Sequence, residues 1–355
     1  MIPRVTATID LSALKRNIAK VRLLAPHSKL LCVVKADAYG HDAAALLEVL
    51  NDADALAVAR IDEAISLRQN HYTGRIVVLS GVLDLDEVEL SIAHQLDVVV
   101  HSWFQVNLLS QVKSSASIDV WLKYDSGMNR LGFTEPKHFA DALSQLVALP
   151  LVSDITLMTH FACAEESTRD FTLGQIEQFN ALTATHTYPI SMANSAAIIQ
   201  YPESHKDWVR PGLLIYGVNP VEHSNVVFEP VMTLKSVVIA VKPVKKGDGV
   251  GYGQLWHASE DTHIAVIAIG YGDGFPRAIA QGAKLRINDK PFPIVGRISM
   301  DLTTVDIGPE PQVSVGDSVE IWGRSSSITE LAKAADTIPY ELLLNLTSRV
   351  HFEFS

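Results

Sequence analysis

The chain has 355 residues, of which 48% are hydrophobic and 19% charged, and its formal net charge is −11. This length and apolar content predict a globular protein with either one large and one smaller domain or two domains of similar size. The negative charge disfavours nucleic acid or an anionic membrane as the main partner. No uninterrupted apolar run approaches membrane-spanning length, which predicts a soluble protein.

Cysteine and histidine usage disfavours a metal site. Only two cysteines occur, Cys32 and Cys163, and no His-Glu-x-x-His pattern is present, so we expect no structural or catalytic metal. The first residues lack the apolar segment of a signal peptide. Together these features predict a reduced, cytoplasmic protein.

A helical pattern from Ser12 to Leu24 is followed by a repeated alternation of short apolar runs and amphipathic stretches. The apolar runs predict eight strands: Leu30–Val34, Ala55–Ala59, Ile76–Leu79, Leu96–Val100, Ile118–Leu122, Ile155–Met158, Ile190–Ala193 and Gly212–Tyr216. Eight strands that alternate with helices are typical of a closed parallel (β/α)8 barrel, the TIM barrel. An open doubly wound sheet would show the same alternation.

Polar side chains at the strand ends favour the barrel. They are Lys35, Arg60, His101, Lys123 with Asp125, His160, Asn194 with Ser195, and Tyr216. Each alone is an ordinary residue at the end of a strand. In a barrel, however, the carboxyl ends of all strands converge on one mouth, where barrel enzymes have their active sites.

The pattern changes near residue 229. Short strands separated by turn sequences follow from Val237 onward, with one helix from Ile328 to Ala335. We therefore predict a barrel domain over residues 1–228 and a mainly β domain over residues 229–355.

Lys35 follows directly after the first apolar run and has two interpretations. It could be a surface lysine at a strand end, or an amine in a dry pocket that can lose its proton and form a Schiff base. The segment alone does not decide between these interpretations of Lys35.

After this segment, Asp42 is expected to cap a helix from Ala43 to Leu50.

Two later segments resemble phosphate-binding loops. Pro211-Gly212 allows backbone N–H groups to approach a ligand closely, and Asn194-Ser195 offers a hydroxyl at the start of a short helix. The glycine-rich stretches at 247–253 and 270–274 lack the context of a dinucleotide fingerprint, which disfavours NAD or ATP. A phosphate site together with a Schiff-base lysine suggests pyridoxal phosphate.

Six blocks of the sequence resemble, in order, the signatures of the alanine racemases. They are Val33–His41, Lys123–Gly132, Trp208–Gly217, Val250–Gly253, Gly270–Pro276 and Val295–Asp301. Each block is weakly specific by itself, but together they span nearly the whole chain. The resemblance implies a homodimeric, pyridoxal-phosphate-dependent enzyme that interconverts L-alanine and D-alanine, either to supply D-alanine for peptidoglycan or in catabolism.

The same resemblance implies a two-base mechanism. Lys35 would bind the cofactor and act on the D-enantiomer, while Tyr252, contributed by the partner subunit's β domain, would act on the L-enantiomer. His160 would link Tyr252 to Arg210, and Arg210 would face the pyridine nitrogen, which a guanidinium does not protonate.

Further site residues follow from the resemblance in three groups. The cofactor contacts would be Lys35, Tyr39, His160, Asn194, Ser195, Arg210, Gly212, Leu213 and Tyr216. The substrate contacts would be Arg130, Met300, Lys123 and Tyr252, and an entry gate would consist of Tyr271, Asp301 and Arg297. Lys123 matches a lysine that many members carry as a carbamate, and the sequence leaves open whether it is modified here.

Other functions remain open at this stage. A racemase of broader specificity, acting on serine or basic amino acids, would share the scaffold, but such relatives often have a signal peptide. A non-catalytic pyridoxal-phosphate carrier or a barrel decarboxylase is less compatible, because carriers typically lack the second domain and an equivalent of Tyr252. The decarboxylase would be expected to use an acidic partner for the pyridine nitrogen.

Overall fold

The computed structural model describes residues 3–222 and 224–355, and the chain divides into two compact units. The barrel unit is Lys15–Phe228; the β unit combines the described residues up to Leu14 with Glu229–Ser355. No helix in the described ranges is long and apolar enough to cross a membrane.

Strand β1 (Thr6–Ile9) and helix α1 (Leu11–Leu24) begin the chain, and a closed barrel of eight parallel strands follows. Its strands are β2 (Lys29–Val33), β3 (Ala55–Val58), β4 (Ile76–Val78), β5 (Asp97–Val100), β6 (Ile118–Lys123), β7 (Val152–Met158), β8 (Ile190–Asn194) and β9 (Trp208–Arg210). The barrel closes where β9 pairs with β2, through Trp208 with Lys29 and Val209 with Leu30. Burial on both faces explains why the strands are continuous apolar runs rather than alternating ones.

Helices surround the strands in sequence. They are α2 (Leu47–Leu50), α3 (Ile61–Gln69), α4 (Leu85–Ala93), α5 (Trp103–Gln111), α6 (Pro136–Ala148), α7 (Asp170–Thr183) and α8 (Ser195–Gln200). The helix expected from Ala43 to Leu50 is present only as α2, although the Asp42 carboxylate does accept a hydrogen bond from the Ala45 N–H at 3.1 Å.

The eighth strand was predicted in the wrong place. The structure has β9 at Trp208–Arg210, and Gly212–Tyr216 forms consecutive turns in which Ile215 N–H donates to Gly212 and Tyr216 N–H to Leu213. Leu213, Leu214 and Ile215 are fully or almost fully buried. Burial makes the turn as apolar as a strand, and periodicity does not separate the two.

The β unit contains the remaining strands. They are β10 (Met232–Val244), β11 (Gly249–Val250), β12 (Trp256–His257), β13 (Thr262–Ile267), β14 (Lys284–Ile287), β15 (Lys290–Pro293), β16 (Thr303–Gly308), β17 (Ser318–Trp322) and β18 (His351–Phe354), with helices α9 (Ile328–Ala334) and α10 (Pro339–Leu344). Strand β1 pairs antiparallel with β10 and parallel with β18. The first described residues therefore belong to the β unit, whereas the predicted division assigned residues 1–228 to the barrel. The predicted class, a (β/α)8 barrel followed by a mainly β domain, is confirmed.

Candidate active site

Lys35 begins a left-handed helical turn directly after β2. Ala36, Asp37, Ala38 and Tyr39 all have φ between 52° and 55°. This conformation costs non-glycine residues roughly 1–2 kcal/mol each, so the turn requires support from its surroundings. Asp37 accepts the Ala43 N–H at 2.8 Å, and His41 Nδ1 lies 3.0 Å from the carbonyls of Ala38 and Tyr39.

The Lys35 amine lies in a half-buried environment with cationic neighbours. Burial lowers the pKa of Lys35 below its usual value, the nearby Arg130 lowers it further, and Glu63 raises it. A lower pKa leaves more of the amine neutral near pH 7, and the neutral amine is the nucleophile. The structure therefore favours the interpretation of Lys35 as a reactive amine.

Arg210, at the end of β9, is 4% exposed and fully engaged with the barrel. Its Nη1 donates to Ser191 Oγ at 2.6 Å. Its Nη2 lies 2.7 Å from the Thr159 carbonyl, 2.9 Å from the Met192 carbonyl and 3.1 Å from His160 Nδ1. Burial lowers the pKa of Arg210 to about 10, so it remains a cation at neutral pH.

His160 is neutral in this environment. Burial first, and then the Arg210 charge, hold the pKa of His160 well below its usual value. Because a guanidinium only donates hydrogen bonds, His160 Nδ1 must accept, and the single ring proton is assigned to Nε2.

A group of predicted cofactor residues meets above the barrel strands. Ser195 Oγ accepts the Gly212 N–H at 2.9 Å, and Asn194 Oδ1 accepts the Ala197 N–H at 3.0 Å. A Cβ on Gly212 would lie 2.7 Å from Tyr39 Oη, so only glycine lets this backbone approach the Tyr39 hydroxyl. Leu213 is buried in the turn that follows.

Tyr216 is placed differently from the other cofactor candidates. Its hydroxyl donates to the Val33 carbonyl at 3.0 Å, and its ring lies 5.0 Å from that of Tyr39 and 4.7 Å from that of His41. Tyr216 is 1% exposed. This arrangement ties the end of β2 to the turn after β9.

Lys123, at the end of β6, is a second buried amine. Burial, followed by Arg210 and Arg130, lowers the pKa of Lys123 to about 8. The loop that carries Arg130 is organised by the Asp125 carboxylate, which accepts N–H groups from Gly127, Asn129 and Arg130 at 2.9–3.0 Å.

The remaining predicted residues lie in the β unit. Tyr252 follows Gly251, whose φ of 74° permits the turn, and it is 70% exposed. Arg297 lies beside that turn, because a Cβ added to Gly251 would be 3.5 Å from the Arg297 backbone N. The structure thus divides the predicted set between the two units.

The three other gate and substrate residues of the β unit, Tyr271, Met300 and Asp301, lie on two segments that backbone hydrogen bonds join. Tyr271 N–H donates to Ser299, Gly272 N–H donates to the Met300 carbonyl at 2.7 Å, and Arg349 pairs with Asp301 at 2.8 Å. Arg349 also pairs with Asp273 at 3.2 Å.

Two contributors were not predicted from the sequence. Thr159 supplies a carbonyl to Arg210, which no side-chain pattern could reveal. Glu63 accepts the Ala36 N–H at 2.5 Å. Its position three residues after Arg60, at the start of an apolar-periodic stretch, is a helix-capping signal that could have identified it.

The fold and these residues define a class: a barrel protein with a half-buried lysine at the barrel mouth, close to a hydrogen-bonded arginine–histidine pair. Comparison with known proteins gives the family. Residues 9–220 match the family model described as alanine racemase, N-terminal domain, and residues 231–354 match the model for the C-terminal domain.

Individual relatives agree with the family models. The alanine racemase of Nitrosococcus oceani is 44% identical over 348 residues, 97% of both chains. The crystal structure of the biosynthetic alanine racemase from Pseudomonas aeruginosa superposes with a TM-score of 0.95 at 37% identity, covering both chains fully. The Bartonella henselae structure, with covalently bound pyridoxal phosphate, has a TM-score of 0.90 at 27% identity and also covers both chains fully.

The chain belongs to the alanine racemase family, and the resemblance noted in its sequence is confirmed. It is therefore an enzyme, an isomerase that acts on amino acids.

Proposed function

We propose that the enzyme interconverts L-alanine and D-alanine with pyridoxal phosphate bound to Lys35, by a two-base mechanism. The observation that carries this proposal is the half-buried Lys35 amine, whose pKa is lowered, in the same barrel mouth as the Arg210–His160 pair. The crystal structure of the alanine racemase from Bartonella henselae contains covalently bound pyridoxal phosphate, which supports the choice of cofactor.

The residues present fit this cofactor. Lys35 would hold its aldehyde carbon, and Arg210 would face its ring nitrogen. Tyr39, Ser195 and the backbone of Gly212 and Leu213 would hold its phosphate; a Cβ on Gly212 would fill the space beside the Tyr39 hydroxyl. Asn194 supports this loop through Ala197, and Tyr216 ties it to the end of β2. When bound, pyridoxal phosphate withdraws electrons from the substrate Cα and so acidifies its hydrogen.

Arg210, His160 and Arg130 would have distinct tasks. Arg210 stays a cation at neutral pH and only donates hydrogen bonds, so with pyridoxal phosphate bound it would leave the ring nitrogen unprotonated and the cofactor a weaker electron acceptor. A weaker acceptor would limit side reactions in which the substrate loses its amino group. His160, being neutral, does not add a further charge beside Arg210, and Arg130 would bind the substrate carboxylate together with Met300.

Two bases are needed because the hydrogen leaves one face of Cα and another is added to the opposite face. Lys35 Nζ would remove or deliver it for the D-enantiomer, and Tyr252 Oη for the L-enantiomer. We propose that Tyr252 belongs to the partner subunit's site, so that residues 1–228 bind the cofactor and residues 229–355 complete the partner's site. The 70% exposure of Tyr252 in a single chain is consistent with that.

Substrate choice and cellular role extend the same proposal. Tyr271, Arg297 and Asp301 would form an entry gate that admits small amino acids, with alanine as the substrate and a homodimer as the working form. The relative from Pseudomonas aeruginosa is a biosynthetic alanine racemase, which supports a biosynthetic role. We propose that this role is to supply D-alanine for peptidoglycan in the cytoplasm.

The direct test incubates the purified enzyme with single L-amino acids and measures each D-enantiomer by chiral chromatography. We expect D-alanine to form fastest and the protein to show a visible absorbance that Lys35→Ala abolishes. Faster turnover of serine or of basic amino acids would instead identify a broad-specificity racemase, and no turnover would contradict the proposal.

A further inference from the structure

The Glu63 carboxylate joins two neighbouring strand–helix loops of the barrel. Its Oε2 accepts N–H groups from Ala59 at 2.7 Å and from Arg60 at 3.1 Å, at the start of α3. Its Oε1 accepts the Ala36 N–H at 2.5 Å. The first two bonds cap the helix, but the third reaches the residue directly after Lys35.

The next helix shows what capping alone requires. Glu87 occupies the same third position in α4, is half-buried like Glu63, and accepts the Leu83 N–H at 2.7 Å within its own loop. The bond from Glu63 to Ala36 is therefore additional to a capping role.

That additional bond acts where the backbone is strained. Ala36 has a φ of 52° and is the first of four consecutive non-glycine residues in the left-handed region. A carboxylate that accepts its N–H stabilises this conformation by a charge-assisted hydrogen bond, and the conformation sets the direction in which the Lys35 side chain leaves the backbone. The negative charge of Glu63 also opposes the lowering of the Lys35 pKa.

We propose that Glu63 is a positioning residue for Lys35: one carboxylate oxygen holds the left-handed turn at Ala36 while the other caps α3, so that the carboxylate fixes the direction in which the Lys35 side chain leaves the backbone. This inference rests on the proposed function, because it concerns the lysine assigned there to bind the cofactor.

Two variants separate the charge from the bond, and a third is the control. Glu63→Gln removes the charge and presents an amide N–H₂ to one of the two loops. Glu63→Asp keeps the charge but is one methylene too short to hold both loops. Glu87→Gln makes the same chemical change on the neighbouring helix, where only capping is affected.

The readouts are the pH titration of the cofactor absorbance and the steady-state kcat for D-alanine. For Glu63→Gln we expect the titration midpoint to move to lower pH and kcat to fall about ten- to a hundredfold, the scale expected when a reacting group is slightly misplaced. For Glu63→Asp we expect a similar fall in kcat with a midpoint close to that of the unmodified enzyme. Glu87→Gln should change neither.

The outcomes distinguish this inference from the proposed function. The Glu63 variants could keep the Lys35-dependent absorbance and have the same titration midpoint and kcat as Glu87→Gln. That result overturns this inference and leaves the proposed function standing. Absence of any Lys35-dependent absorbance in the unmodified protein overturns the proposed function and this inference with it.

Discussion

Arg210 donates a hydrogen bond to His160 Nδ1 across 3.1 Å, and this contact fixes both the charge and the tautomer of the histidine. The guanidinium has no lone pair to offer, so the imidazole accepts at Nδ1 and carries its proton at Nε2. Protonation of Nδ1 would place two buried cations in contact. The pair therefore presents one positive charge, on Arg210, and one neutral N–H donor, on His160.

The first prediction concerns the pH dependence of stability. The folded-state pKa of His160 lies well below its unfolded value. Below about pH 6.5 the unfolded chain therefore binds a proton that the folded state does not. The free energy of unfolding should fall as the pH drops below that value, and His160→Gln should reduce the slope. Urea denaturation at a series of pH values between 4.5 and 8 measures the free energy of unfolding and its slope with pH.

The exposed His27 supplies the control for this measurement, because His27→Gln should leave the slope unchanged. Nitrogen NMR of the histidine rings gives an independent check, with His160 protonated at Nε2 across the range. A His160 ring that takes up a second proton near pH 6.5 would contradict the assignment.

The second prediction concerns Gly212 and Tyr39. An alanine at position 212 would place its Cβ 2.7 Å from Tyr39 Oη, and Tyr39 is buried. Gly212→Ala should therefore weaken pyridoxal phosphate binding and destabilise the fold by about 1–3 kcal/mol. Equilibrium dialysis of the cofactor and thermal unfolding measure the two effects.

The double variant tests whether the hydroxyl is the cause. With Tyr39→Phe the nearest atom to the new Cβ becomes the ring carbon at 3.3 Å, so Gly212→Ala should cost less in that background. Equal costs with and without the hydroxyl would show that the strain arises elsewhere.

The third prediction concerns Lys123. Burial beside Arg210 and Arg130 brings its pKa to about 8, so the neutral amine can attack carbon dioxide, forming an N–C bond and releasing a proton. The resulting carbamate would attract the arginines that repel the ammonium. We expect a carbamate carbon signal by NMR in ¹³C-bicarbonate, which grows as the pH rises towards 8 and disappears on acidification.

Lys123→Gln should lack that signal, whereas the exposed Lys15→Gln should keep it. Removal of carbon dioxide should lower the kcat/KM of the unmodified enzyme, and addition of bicarbonate should restore it. A signal that persists in Lys123→Gln would assign the carbamate to another amine.

The sequence was most informative where function and strand ends coincide. Lys35 and Lys123 lie at or just past the ends of barrel strands both in the prediction and in the structure. Arg210, which ends β9, was identified only through the family resemblance, because the eighth strand was predicted to follow it. The apolar runs also located seven barrel strands to within a few residues, because both faces of those strands are buried.

Two features of the fold could not be predicted from the sequence because they depend on contacts between residues far apart in the chain. The left-handed turn after Lys35 is unfavourable locally and depends on Glu63, which follows it by 27 residues. Strand β1 pairs with β10, more than two hundred residues away. No local pattern encodes either partnership. The turn at Gly212–Tyr216 was mistaken for a strand for a different reason, because its burial makes it as apolar as a strand.

The fourth prediction separates the two bases. Because the enantiomers are equal in energy, kcat/KM must fall equally in both directions, so racemisation rates cannot assign a base to a face. In Tyr252→Phe we expect the cofactor absorbance to remain and racemisation to be largely lost. Lys35 should still exchange the Cα hydrogen of D-alanine for deuterium from the solvent, and the product should remain D-alanine. Proton NMR detects this exchange as loss of the Cα–H signal.

Exchange of L-alanine in the same variant should be slow, since its Cα hydrogen faces the missing hydroxyl. Tyr188→Phe, at a half-buried tyrosine outside the proposed site, serves as the control, with racemisation and exchange retained. Rapid racemisation by Tyr252→Phe would exclude the two-base assignment.

The fifth prediction tests whether each site is shared between subunits. Neither Lys35→Ala nor Tyr252→Phe alone should racemise alanine. If each site uses Lys35 of one subunit and Tyr252 of the other, a mixed dimer has one site with both changes and one site with neither. Random reassociation in equal amounts gives mixed dimers in half of the population, so activity should recover to about a quarter of that of the unmodified enzyme. No recovery, with mixed dimers verified by mass spectrometry, would show that each subunit supplies both bases to its own site.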